Sequence, residues 1–148
     1  MRLADEAATS RLGVAVARAL QSGEAVCLWG PLGAGKSTLA RALIRALTTP
    51  DEEVPSPTFT LVQTYDGAAF SLAHFDLYRL ADADEAHELG LDEALEEGAA
   101  IIEWPERLEG GLPPDRLDIE ITFETDGGRR ARLDRHGAWE GREIELAA

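Results

Sequence analysis

The run Gly30-Pro31-Leu32-Gly33-Ala34-Gly35-Lys36-Ser37 fits the spacing G-x-x-x-x-G-K-[ST], and Lys36 is the only lysine in a chain whose other basic residues are all arginine. These residue types at this spacing suit the holding of phosphate. Glycines let the backbone bend so that successive N–H groups point at one anion, and a helix starting at the end of the loop adds its positive pole. A lysine is a compact point charge that can lie along such a loop and reach β- and γ-phosphates, where the planar fork of an arginine does not fit. The Ser37 hydroxyl is then the group that loops of this pattern place on Mg²⁺. Gly33, Ala34, Gly35, Lys36, Ser37 and Thr38 are therefore expected to hold nucleotide phosphates, with Lys36 facing solvent until phosphate arrives. The competing reading is a flexible glycine turn with an incidental lysine.

Other residues could complete such a site. Thr58 sits in a Pro-bounded loop after the loop helix, where NTPases keep a segment that orders around γ-phosphate and Mg²⁺; it could equally be an ordinary strand-start threonine. Asp76 ends an apolar run and would point at the metal, directly or through water, unless it merely caps a turn. Glu103 ends the run Ala99 to Trp104 and cannot be buried without a cation or hydrogen-bond donors. Mg²⁺, a catalytic water or a salt bridge to an arginine would each satisfy it. Arg129, Arg130 and Arg132 form the one basic cluster of an acidic chain, and one of them could neutralise nucleotide charge if the strand does not simply face water. His74 is read as a core or supporting histidine and left outside the site.

The elements that must position these groups follow from periodicity. Ala8, Leu12, Ala15, Val16, Ala19 and Leu20 give the stripe of an amphipathic helix over Asp5 to Gln21. Ala25 to Trp29 is a continuous apolar run that fits a strand buried on both faces, and Lys36 to Leu47 returns to helical spacing. The glycine loop thus joins a buried strand to a helix. Thr58 to Tyr65 and Ala69 to Asp76 read as a hairpin around Asp66-Gly67-Ala68. The acidic stretch Asp82 to Glu97 reads as two short helices, the second running from about Asp92 to Gly98. Ala99 to Trp104 is another buried strand, broken at Pro105. Leu117 to Phe123, Arg130 to Leu133 and Glu143 to Leu146 are expected as edge strands, and Trp139, in a Gly-flanked run, as part of a surface turn. The fold expected is α/β: one P-loop NTPase-like domain, residues 1–148, with a mixed, mostly parallel sheet, an antiparallel hairpin and flanking helices.

At 148 residues and 45% hydrophobic, the chain is long enough for one domain with a core. A formal net charge of −14 disfavours non-specific binding to nucleic acid and suits a protein partner with a basic face. Cys27 is alone, so no intramolecular disulfide forms, and neither a signal-peptide pattern nor an apolar run of bilayer length is present. A soluble, cytoplasmic protein is expected. The chain contains no Asn, which excludes guanine recognition through Asn-Lys-x-Asp. A small-molecule or nucleotide kinase remains the alternative, although Asp82 to Glu97 is acidic where a phosphate-covering lid would be basic. A third reading is a nucleotide-dependent interaction module whose turnover matters less than its bound state, and a nucleotide-free structural domain has little to support it.

Three further stretches follow "GAGKST" in order: "SPTFTLV" from Ser56, "HFDLYRL" from His74 and "EWPE" from Glu103. Together they resemble the TsaE family, the small bacterial P-loop ATPases of tRNA threonylcarbamoyladenosine synthesis. The likeness runs from "DEAAT" at Asp5 to "GRRAR" at Gly128. The resemblance implies an ATPase using ATP and Mg²⁺, with Lys36, Thr58, Asp76 and Glu103 in catalysis and Ser37, Asp76 and Glu103 on the metal. It also implies Trp104 as a functional neighbour of Glu103, Arg129 as the arginine at the nucleotide, and Glu6 at the nucleotide's edge. Glu6 could equally be a first-turn acid favoured by the helix dipole. As partners the resemblance implies the TsaD and TsaB proteins, with hydrolysis supporting the transfer to tRNA that they perform, and no direct tRNA binding by this acidic chain.

Overall fold

The computed structural model describes residues 1–57 and 60–146. Its elements run β1 (Arg2–Leu3), α1 (Glu6–Ala19), β2 (Ala25–Trp29), α2 (Lys36–Leu47), β3 (Val62–Asp66), β4 (Ser71–Asp76), α3 (Asp84–Glu88), α4 (Leu91–Glu97), β5 (Gly98–Glu103), β6 (Arg116–Phe123) and β7 (Arg129–His136). Single 3₁₀ turns at Pro105–Leu108 and Gly137–Trp139 complete the described chain. Seven strands form one sheet in the order β1-β7-β6-β2-β5-β4-β3. The four central strands, β6, β2, β5 and β4, are parallel, and antiparallel pairings at both margins make the sheet mixed. This is the α/β architecture that the periodicity predicts.

Because side chains alternate across a strand, β2, β4 and β5 feed two cores, while β6 feeds only the one under α1 and α2. Val26, Leu28, Ile101, Leu117 and Ile119 pack under α1 and α2. Ala25, Cys27, Phe75, Ala100 and Ile102 face the other way, toward Leu80, Ala86, Leu91 and Leu108. Helices α1 and α2 approach closely where Gly13 meets α2: a Cβ there would lie 2.6 Å from the Leu39 carbonyl oxygen. Asp5 caps α1 by accepting a 2.8 Å hydrogen bond from the Ala8 N–H.

Four expectations are corrected. Neither Leu117 to Phe123 nor Arg130 to Leu133 is an edge: β7 lies between β6 and the two-residue β1, and β6 lies between β2 and β7, since its alternating apolar residues cover the α1–α2 core while its backbone pairs on both sides. Glu143 to Leu146 forms no strand. The segment is tied down instead by Arg142, whose guanidinium makes two 2.7 Å bonds to the buried Glu24 carboxylate and donates to the Ala19 carbonyl. Trp139 is not in an exposed turn but 0% exposed, under the Arg142 guanidinium at 4.5 Å. A bulky apolar ring outweighs the turn signal of its glycine neighbours. The strand β1, too short to show periodicity, had no sequence signal. No helix among the described residues is long and apolar enough to cross a membrane.

Candidate functional site

The glycine loop leaves the carboxyl end of β2 and enters α2, as the motif requires. Gly30, Gly33 and Gly35 take positive φ of 134°, 79° and 114°, a region that side chains with a Cβ avoid. Gly35 is the N-cap of α2 and supplies no side-chain cap, so the N–H groups of the first turn stay available to an anion. At Gly30 a Cβ would also stand 2.3 Å from the Ile121 carbonyl oxygen. The loop is therefore a built feature, and the incidental-turn reading fails on its geometry.

Two cavities flank it. The first, of about 240 Å³, is lined by Leu32, Ser37, Ser56, Asp76, Glu103 and Trp104 together with the loop. Asp76 and Glu103 pair in register at the carboxyl ends of β4 and β5, which brings both carboxylates under the start of α2. Both are buried. Asp76 accepts from the Tyr78 N–H at 3.0 Å, and Ser37 Oγ lies 3.5 Å from Glu103 Oε1. Glu103 carries no salt bridge to an arginine among the described residues; its strong partner is His74, with Nε2 at 2.6 Å from Oε2.

Lys36 does not face solvent. It is 5% exposed, donates to the Gly30 carbonyl at 2.6 Å and lies 3.4 Å from the centre of the Trp104 ring. Burial lowers its pKa, against the raising influence of Glu103, Glu106 and Asp76. Trp104 reaches this position through a left-handed backbone, φ 60°, and its ring meets Tyr78 at 4.9 Å. A non-glycine residue held there is strain concentrated beside the loop lysine.

The second cavity, of about 280 Å³, lies on the other side of the loop and is lined by Glu6, Thr9, Gly33, Ala34, Gly35, Thr38 and Arg129 among others. Arg129 donates to the Gly127 carbonyl at 2.8 Å and to Gly33 in the loop at 3.4 Å. Arg130 and Arg132 instead pair with Glu124 and Glu120. Only one of the three clustered arginines thus turns to the loop. A larger groove of about 640 Å³ between α1 and α2 contains neither buried carboxylate, and we place the site where the charged groups converge.

The structure thus brings Lys36, Ser37, Asp76, Glu103 and Trp104 together on one side and Glu6 and Arg129 on the other, with Gly33, Ala34, Gly35 and Thr38 forming the loop itself. Thr58 lies outside the described residues. His74, read from the sequence as a core or supporting histidine, is buried and bonded to Glu103, and it stands two residues before Asp76 on the same face of a strand. Thr9, whose methyl carbon would lie 3.5 Å from a Cβ at Gly35, and Tyr78 had no signal in the sequence.

The donor set fits a nucleotide with Mg²⁺. Two carboxylates and one hydroxyl converge, and no group of three or more His, Cys, Asp or Glu among the described residues forms a metal cage of its own. Mg²⁺ characteristically takes one or two carboxylates and completes its shell with phosphate oxygens and water.

Residues 3–131 match the family model of the threonylcarbamoyl adenosine biosynthesis protein TsaE. The chain belongs to the TsaE family. It is 37% identical over 134 residues to the tRNA threonylcarbamoyladenosine biosynthesis protein TsaE of Aquifex aeolicus, covering 90% of this chain and 93% of that one. The Treponema pallidum protein of the same name is 38% identical over 122 residues, 82% of this chain and 89% of its own. A crystal structure of Bacillus subtilis YdiB superposes with a TM-score of 0.78 at 29% identity, covering 95% of this chain and 87% of that one. The matched residues span both cavities up to Ala131, so the TsaE fold and the candidate site coincide in sequence.

Proposed function

We propose that this TsaE protein binds and hydrolyses ATP with Mg²⁺ and that its turnover supports the formation of threonylcarbamoyladenosine in tRNA, acting with the TsaD and TsaB proteins in the cytoplasm. The observation that carries the reading is the convergence of Lys36, Ser37, Asp76 and Glu103 at the mouth of an uncapped helix N-terminus. In this reading the N–H groups of residues 33–38 bind phosphate oxygens, and Lys36 leaves the Gly30 carbonyl and the Trp104 face to join them. Ser37, Asp76 and Glu103 would hold Mg²⁺, which supplies charge neutralisation at the β- and γ-phosphates when bound. Asp76 and Glu103 are the acids lining this cavity, so the proton of the attacking water goes to one of them. Water attacks phosphorus, the bond to the leaving oxygen breaks, and ADP and phosphate result.

Leu32 and Tyr78 are exposed beside the same cavity, where a protein partner could read its state. The acidic α3–α4 stretch supplies no basic lid, which weighs against a kinase. The test is phosphate release from ATP by the wild-type chain and by Glu103→Gln, alone and with TsaD and TsaB. Release that requires Glu103 and rises with the partners supports the proposal. Transfer of phosphate to a small acceptor in place of water would overturn it in favour of the kinase.

A further inference from the structure

His74 has no place in the chemistry above, yet it is 2% exposed and bonded at 2.6 Å to a carboxylate that is itself 3% exposed. The two side chains project from the same face of adjacent parallel strands. His74 pairs in register with Ile101, so it reaches diagonally to Glu103, while Asp76 stands directly opposite Glu103. Glu103 therefore has its two oxygens assigned to different neighbours: Oε2 to His74, and Oε1 to Ser37 at 3.5 Å. An ionised carboxylate only accepts, so the proton in the 2.6 Å bond belongs to Nε2. Nδ1 is buried with no hydrogen-bond partner among the described residues. A bare ring nitrogen costs less there than an orphaned N–H, which agrees with Nε2 as the donor in the bond to Glu103.

We propose that His74 is a positioning residue for the metal carboxylate: its Nε2–H holds Oε2 of Glu103 and leaves Oε1 as the one oxygen offered to Ser37 and to Mg²⁺. The inference rests on the reading of Glu103 as a metal ligand. The need for such a tether is visible in the surroundings, because the Lys36 ammonium lines the same cavity as Glu103. A carboxylate free to rotate would turn to that lysine and pull it from the phosphates. Neighbours that orient a metal ligand in this way commonly affect metal affinity by about 10–100-fold when removed.

Two polar variants separate positioning from packing. The amide nitrogen of glutamine can stand where Nε2 stands, whereas that of asparagine reaches only as far as Nδ1. Calorimetric ATP titrations with and without Mg²⁺ give the factor by which the ion strengthens binding. That factor should fall about tenfold or more in His74→Asn, remain near wild type in His74→Gln, and fall no further when His74→Asn is added to Glu103→Gln. An undiminished factor in His74→Asn, or a full additional loss in the Glu103→Gln background, overturns the proposal while leaving Glu103 on the metal. An unchanged factor in Glu103→Gln alone removes the metal reading and the tether with it. Nitrogen chemical shifts of His74 in the unmutated protein provide a check that needs no variant: an Nε2-protonated ring supports the assignment and an Nδ1-protonated one overturns it.

Discussion

The two sides of the glycine loop are built on different principles. On the β4–β5 side the three charged groups lining the cavity are buried and bonded to a neighbour: Lys36 to Gly30 and the Trp104 face, Glu103 to His74, Asp76 to the Tyr78 N–H. On the α1–β7 side Glu6 is exposed, and Arg129 is half-buried with only carbonyl oxygens and the Phe123 ring beside it. Buried charge is expensive unless its partners are fixed, so the first side has to be assembled before nucleotide arrives. The second can adapt. Large losses should therefore follow substitutions on the first side and small ones on the second.

The largest effect belongs to Lys36. Lys36→Ala should reduce ATP affinity by at least about 10²-fold, the order expected for removing a charge-assisted contact to phosphate. Its fold should survive, because the burial that lowers the lysine's pKa is a cost to the folded state that the substitution removes. Lys36→Arg should also bind poorly, since the slot beneath Trp104 is shaped for an ammonium. Calorimetry with ATP, beside a thermal melt, checks both parts, and wild-type affinity in either variant would refute the cradle.

Next in size are the carboxylates. Asp76→Asn and Glu103→Gln should each slow hydrolysis by about 10²-fold or more, the scale of losing a positioned acid–base or electrostatic group, while ATP still binds. Single-turnover phosphate release and a nucleotide titration separate the two. Near-normal turnover in Asp76→Asn would reduce that residue to the turn cap that its bond to the Tyr78 N–H already makes it.

The same asymmetry explains what was legible in the sequence. A strand, a glycine loop and a helix can be read from spacing because each residue's role is local, and Asp76 and Glu103 stand out because acids at the ends of apolar strands need partners. What could not be read is which partner each one takes. The sequence leaves Glu103 open to a metal, a water or an arginine, and the choice of His74 depends on the register of β4 against β5, a relation between segments 29 residues apart in sequence. The burial of Lys36 is hidden for the same reason, since Trp104 covers it from the end of the neighbouring strand β5. The burial of Trp139 is hidden in the sequence because its glycine neighbours describe the backbone and not the destination of the ring.

On the exposed side, Arg129→Ala and Glu6→Gln should each lower nucleotide affinity by less than about tenfold, in keeping with the modest worth of solvent-exposed charge contacts. Combined, they should add, because no hydrogen bond or ion pair of the described structure joins the two residues, Arg129 bonding only to carbonyl oxygens. A single-variant loss as large as that of Lys36→Ala, measured in the same titration, would erase the contrast between the two sides.

The smallest expected effect is spectroscopic and tests whether the buried side rearranges at all. Lys36 rests on the Trp104 ring, and in the proposed function phosphate draws it away, so Trp104 should lose a cation from its face when nucleotide binds. Trp29 stays anchored, its indole N–H donating to Asp118 at 3.1 Å. Trp139 is enclosed at the amino end of the parallel strands, beside Asp115, and contributes a constant background. Tryptophan emission should therefore change with ADP and ATP in wild type and in Trp29→Phe, and the change should vanish in Trp104→Phe. Arg129→Ala should keep it at saturating nucleotide, because that residue acts on affinity and not on the lysine. If the signal follows Trp29 instead, the lysine does not leave the Trp104 face on binding, and the strained backbone at Trp104 serves packing alone. A signal that requires Trp104 and differs between ADP and ATP makes the Trp104–Tyr78 pair the route by which phosphate occupancy reaches the exposed surface at Tyr78.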